Sequence, residues 1–175
     1  MAISLRLENV VFPDNIGFKC KGCGRCCKEQ PADVTAKERA SIEAKGFTGF
    51  LDENDLIEPR LIRSRKGGGC FFLTASNGCS VNDVKPAICQ LVPFVVVDWD
   101  YERNLIEVDL PADSNCPGIF EDTDLPLETL AKAAQTYVRD LQEAVAKQEN
   151  LSPNDPKVLS KTRQLIIRQS TDPEA

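Results

Sequence analysis

The alternation of apolar and polar positions divides this chain into two unlike parts. Towards the C-terminus, Leu127, Leu130, Ala131, Ala134, Tyr137, Val138, Leu141, Ala144 and Val145 follow the i, i+3, i+4, i+7 spacing of a single helix face. That spacing predicts one amphipathic helix of about six turns. Asp124 or Thr123 stands where a side chain can cap its start, and Pro126 suits a first turn that needs no backbone N–H there. After the turn "NLSPND", Asp155 is placed as an N-cap with Pro156 behind it, and Val158, Leu159, Leu165 and Ile166 form a second helical stripe. The closing "STDPEA" is expected to fray.

The front of the chain has shorter periods. "LRLENVVF" reads as an opening strand, and Thr35 with Glu38 makes a capping box for a short helix that ends near Gly46. "CFFLTASNGCSV" places two short apolar runs around an Asn-Gly turn. "VPFVVVDWDYERNLIEVDLP" is the clearer hairpin, with a polar turn from Asp100 to Asn104. In it Leu105, Glu107 and Asp109 alternate with Ile106, Val108 and Leu110. Trp99 and Tyr101 read there as packing and turn residues. The pattern predicts an α+β fold: a small cysteine-rich domain with short β-hairpins, packed by C-terminal amphipathic helices. Residues 1–121 form the cysteine-bearing region and 122–175 a helical extension packed on the same domain.

Composition sharpens this picture at three points. With 175 residues the chain can bury a core without covalent staples. The formal charge of −6 argues against a nucleic-acid binder, and the short basic run "RSRK" from Arg63 to Lys66 does not reverse that. The opening "MAISLRLENV" lacks a secretory pattern and the apolar stretch "LVPFVVV" is too short to cross a bilayer, so a cytoplasmic protein with no membrane partner is expected. In a reducing cytosol, the eight cysteines are expected to be metal ligands or redox thiols rather than disulfides.

Their spacing is informative. "FKCKGCGRCCKEQP" gathers Cys20, Cys23, Cys26 and Cys27, and the chain holds no histidine. Cys20-x2-Cys23-x2-Cys26, with Gly22 and Gly24 between ligands, resembles the first three ligands of a bacterial ferredoxin run, and Cys116-Pro117 is similar to the Cys-Pro that closes such a site. In an extended segment Cys26 and Cys27 would face opposite ways and serve different centres. Cys70 and Cys79 flank the first hairpin, and Cys89 belongs to a short helical turn beginning at Pro86. The partition that follows is Cys20, Cys23, Cys26 and Cys116 at one centre, and Cys27, Cys70, Cys79 and Cys89 at another. Gly67-Gly68-Gly69 carries no phosphate-loop signature and reads as a close backbone approach to Cys70.

"CKGCGRCC", "GCFFLTASNGCSVNDVKPAICQLVPF" and "NCPG" together resemble the cysteine-cluster family named for its Cys-x2-Cys-x2-Cys-Cys run, the YkgJ-like zinc- or iron-chelating domain. Flagellin lysine N-methylase is related to that family. The resemblance covers roughly Phe18 to Gly118 and all eight cysteines. It implies metal or iron-sulfur binding. Members often carry Arg-Pro and Cys-Arg where this chain has Lys85-Pro86 and Cys89-Gln90. Lys85 therefore reads either as a solvated charge or as a cation beside an anionic cluster.

Without histidine, zinc would need all-thiolate sites, and iron-sulfur clusters use the same four thiolates each. The ferredoxin-like run favours one or two 4Fe-4S clusters, with zinc as the alternative. Three functions are open: an electron-transfer or redox protein with a protein partner, a zinc-bearing structural or interaction module, and a methyltransferase-like enzyme acting on a protein substrate. Against the last stand the missing nucleophile-base pair, nucleotide loop and Cys-x3-Cys-x2-Cys triplet.

Overall fold

A computed structural model describes residues 7–29, 32–56, 58–120 and 124–171. The expected boundary between residues 121 and 122, and Thr123 as a cap, fall outside these. The elements run β1 (Val10–Val11), α1 (Arg25–Glu29), β2 (Asp33–Val34), α2 (Ala36–Glu43), β3 (Arg60–Leu61), α3 (Ala87–Leu91), β4 (Val95–Asp100), β5 (Leu105–Asp109), α4 (Leu127–Glu149) and α5 (Pro156–Thr171). The domain is α+β, as the pattern predicts.

The predicted hairpin is β4 and β5, joined through residues 101–104 with Asn104 in the left-handed region. A bulge between Val96 and Asp98 re-phases β4, so Val96 and Trp99, three residues apart, both reach the core. β1 lies parallel to β5 and completes a three-stranded sheet in the order β1-β5-β4. Of the expected opening strand, Leu5 and Arg6 lie outside the described residues, Leu7–Asn9 forms a 3-10 turn, and Val10–Val11 is strand.

α4 and α5 cover this sheet. Leu130, Ala134, Val138, Leu141 and Ile166 pack with Trp99, Ile106, Val108, Leu91 and Phe94 in one buried cluster. Asp155 caps α5, its Oδ1 accepting the Lys157 N–H at 2.9 Å. The start of α4 differs from expectation: Pro126 is itself the N-cap residue, with no side-chain cap bond from Asp124, and Leu127 is half exposed. Asn150, left-handed at φ +54°, ends α4. Arg163 of α5 grips Asp98 of β4 through two 2.8 Å bonds and holds that carboxyl below the usual carboxylate range.

The front half has its own small core of Val34, Ile42, Phe50, Ile62, Phe72 and Val81. β2 and β3 pair antiparallel beside it, and Phe72 meets Phe47 edge-on with ring centroids 5.5 Å apart. α2 starts with the predicted capping box: the Glu38 N–H donates to Thr35 Oγ1, and the Thr35 N–H donates to Glu38 Oε2.

Candidate metal centre

Each thiol is brought to its place by a local feature of the backbone. Phe18 bridges Ile119 antiparallel, the Lys19 N–H donates to Gly118 O at 2.9 Å, and the Phe120 N–H donates to Gly17 O at 2.8 Å. A Cβ on Gly118 would stand 2.2 Å from Lys19 O, so only glycine permits this pairing. The stretch holding Cys20 is thereby laid along the stretch holding Cys116. Arg25 extends the seam by donating to Asn115 O at 2.6 Å.

Cys26 and Cys27 lie in α1, a short helix opened by Gly24, whose carbonyl accepts the Cys27 and Lys28 N–H groups at 3.1 Å. The expectation of an extended segment with thiols facing opposite ways is corrected. Neighbours on a helix are rotated by about 100°, and the two Sγ atoms stand 4.0 Å apart. The Cys70 N–H donates to Cys27 O at 2.6 Å, and the preceding Gly69, at φ +86°, passes close to the same carbonyl. The close approach expected of the triple glycine is present. Cys79 is set by its bridge to Leu73, across a loop in which Gly78 O accepts the Thr74 N–H at 2.9 Å. The segment is thus a bridge and a tight loop rather than a full hairpin. Cys89 sits in α3, whose N-cap residue is Pro86.

These folds turn Cys26, Cys27, Cys70, Cys79 and Cys89 onto one cavity of about 90 Å³, together with Lys85 and an apolar wall that includes Ile62, Phe72 and Val81. The volume is well above the ~10–15 Å³ that one water-sized body requires. The spacing-based grouping puts Cys26 with Cys20, Cys23 and Cys116; here Cys26 lines the cavity with Cys27, Cys70, Cys79 and Cys89, and Cys20, Cys23 and Cys116 lie outside that lining. All eight cysteines are free thiols. Among the described residues, no three His, Cys, Asp or Glu side chains are gathered tightly enough to hold a metal ion as they stand. The donor set nevertheless fits a soft or borderline metal, being all sulfur with no competing carboxylate in the lining.

Electrostatics differ from thiol to thiol. The hydrogen bond from Cys27 lowers Cys26 to about 6, against the opposing effect of burial, and Lys85 adds to the lowering. The same bond, with burial and the neighbouring thiols, pushes Cys27 up. Burial raises Cys70, and burial with the charge of Cys70 pushes Cys89 up to about 12. Closing four thiolates on a metal therefore means expelling protons from the more buried thiols.

Two features were not legible from spacing. Gly24 lies so close to the 74–78 loop that a Cβ there would come within 2.8 Å of Asn77 Cβ, which only glycine avoids. The "RSRK" run is braced, with Arg65 donating to Leu73 O at 2.6 Å and the Arg63 guanidinium 4.6 Å from the Phe71 ring centroid. No helix among the described residues is long and apolar enough to cross a membrane.

A family model, CxxCxxCC, described as a "putative zinc- or iron-chelating domain", matches residues 19–117. No curated protein and no solved structure matches the chain.

Proposed function

Because the chain belongs to the CxxCxxCC family, we propose that it is a metal-binding protein whose cavity thiols hold an iron-sulfur centre with an electron-transfer role. One observation carries the reading: five thiols from four separate segments open onto a single cavity, in a chain with no histidine. Cys27, Cys70, Cys79 and Cys89 would supply four ligands, with Cys26 as the exposed fifth thiol. Cys20, Cys23 and Cys116 do not line this cavity; the Phe18–Ile119 seam lays the stretch holding Cys20 along the one holding Cys116, and a second centre would have to draw Cys23 in to join them. Bound there, an iron-sulfur centre supplies one-electron chemistry. The chain's own residues would set its environment: the apolar wall excludes water from one side and the Lys85 ammonium offsets thiolate charge. Cys20, Cys23 and Cys26 are exposed, which leaves that edge open to a protein redox partner.

A second reading, a zinc-bearing structural or interaction module, draws on the same four thiolates, enough for a closed tetrahedral site. Anaerobic purification with metal and acid-labile sulfide analysis separates the two. The expected result is a coloured protein with iron and sulfide, and an electron paramagnetic resonance signal that appears on reduction. A colourless protein with stoichiometric zinc and no sulfide overturns the electron-transfer reading in favour of the zinc module. Cys27→Ser is expected to lose only part of the bound metal, and so is Cys20→Ser.

A further inference from the structure

The α3 turn that carries Cys89 is only five residues long, and Pro86 at its N-cap position has no side chain able to accept a backbone N–H. A short, uncapped turn is a poor holder for a ligand. The missing acceptor comes from elsewhere in the chain: the Ala87 N–H donates to Glu38 Oε1 at 2.7 Å, across 49 sequence positions. The other oxygen, Oε2, is occupied in the α2 capping box, accepting from the Thr35 N–H at 2.9 Å and from Thr35 Oγ1 at 3.1 Å. One carboxylate therefore closes the start of two helices, and its negative charge suits both N-termini.

We propose that Glu38 is the positioning residue for Cys89: clamped by Thr35, its carboxylate caps α3 where Pro86 cannot and so fixes the Cys89 thiol on the cavity. The proposal rests on the reading of that cavity as the metal centre, and its test separates the two.

In metal-free protein, alkylation of Cys89 by iodoacetamide, followed by mass spectrometry, reads how well the turn is held. Glu38→Ala is expected to speed it about tenfold, the opening that follows from losing a hydrogen bond to a charged group. Glu38→Gln keeps one acceptor oxygen, which can stay on the Ala87 N–H while the NH2 turns to Thr35 Oγ1, and is expected to stay near the wild-type alkylation rate although α2 loses its acceptor for the Thr35 N–H. Thr35→Ala removes the Oγ1 bonds and so weakens α2, but keeps the residue-35 N–H on Oε2 and the Ala87 bond on Oε1, so a merely structural role for the capping box predicts faster alkylation there and a positioning role does not. Where Glu38→Ala fails to fold, Glu38→Asp keeps the charge with a shorter reach and is expected to show the same acceleration. Titration with Co²⁺, followed by thiolate absorption, adds the second arm. Glu38→Ala is expected to weaken binding about 10–100-fold, and to add nothing in a Cys89→Ser background. Unchanged Cys89 alkylation in Glu38→Ala overturns the proposal whatever the cobalt result. Wild-type protein that binds no Co²⁺ overturns the metal reading instead, and the alkylation arm still decides the role of Glu38.

Discussion

The sheet with its two C-terminal helices and the thiol-bearing front half hold their shapes by different means. In the rear, a 23-residue helix, a 16-residue helix and a six-residue strand bury Trp99, Ile106, Leu130, Val138 and Ile166 in one continuous cluster. In the front, strands of two residues, isolated bridges and a five-residue helix surround a smaller core. The rear therefore draws its order from buried apolar area. The front draws much of its order from local closures that place the thiols: the Glu38 cap, the Gly24 approach and the Cys27–Cys70 backbone bond. α3 joins the two, since Leu91 lies in the rear core while Cys89 lines the cavity. A cavity built this way has one wall anchored in the larger core and several segments held to it by local closures.

The largest effect is expected in the rear. Trp99 is fully buried, and Trp99→Ala is expected to cost about 3–5 kcal/mol through lost burial and the cavity left behind. Chemical unfolding followed by circular dichroism measures it. Because α3 is shared, amides near Cys70 and Cys79 are expected to lose protection along with those of α4. Front amides that stay protected in this variant would mean that the front folds independently.

Gly24→Ala is expected to come next, at about 2–4 kcal/mol, and to act on the front alone. A side chain at φ +69° is strained, and its Cβ would also overlap Asn77. Site-resolved hydrogen exchange is expected to rise around residues 70–79 and in α1, with α4 and α5 unchanged. Equal exchange gains in the C-terminal helices would contradict the division.

The same contrast decides what the sequence made readable. α4, α5 and the β4–β5 hairpin carry a long period, so Leu130, Val138 and Ile166, or Ile106 and Val108, announce their own buried face. α2 was readable from Thr35 and Glu38 because a capping box is a local signal. Two-residue strands carry no period, and neither the pairing of Asp33–Val34 with Arg60–Leu61 nor the parallel pairing of β1 with β5 could be read. At the site, the spacing identified the thiols, but their grouping turned on whether Cys26 and Cys27 lay in a strand or a helix. Five residues opened by a left-handed glycine do not declare that in advance. The bond from Ala87 to Glu38 spans 49 positions and had no local signature.

A third prediction uses acid. Asp33, largely buried near Asp55, has its carboxyl raised from 3.8 to about 6. Between those values the folded chain binds more protons than the unfolded one, so stability falls as pH rises through this window and is recovered as pH drops below it. The swing is expected to be on the order of 2 kcal/mol. Denaturant midpoints between pH 4 and 7 should show it, and Asp33→Asn should flatten the curve. A wild-type curve as flat as that of Asp33→Asn would show that the carboxylate is solvated in the folded chain.

The smallest expected effect lies at the α4–α5 junction and has the opposite sign. Glu149, the last residue of α4, is bonded by Lys157 and Lys161 of α5, which hold its carboxyl down at about 2 against 4.5. A depressed carboxylate contributes stability that is present above 4.5 and lost as pH falls through about 2. Acidification from pH 6 to pH 4 is thus expected to tighten the front around Asp33, whereas further acidification loosens the α4–α5 junction. The Glu149 contribution is a surface ion-pair effect, so about 1 M salt, with a screening length near 3 Å, should remove most of it. The salt should leave the Asp33 response, which comes chiefly from burial, largely in place. Amide exchange at residues 149–157, followed between pH 5 and 2 in wild type and Glu149→Gln at low and high salt, reads the junction directly. An acid response there that persists in Glu149→Gln, or is indifferent to salt, would assign it to packing around Val145 and Val158 instead.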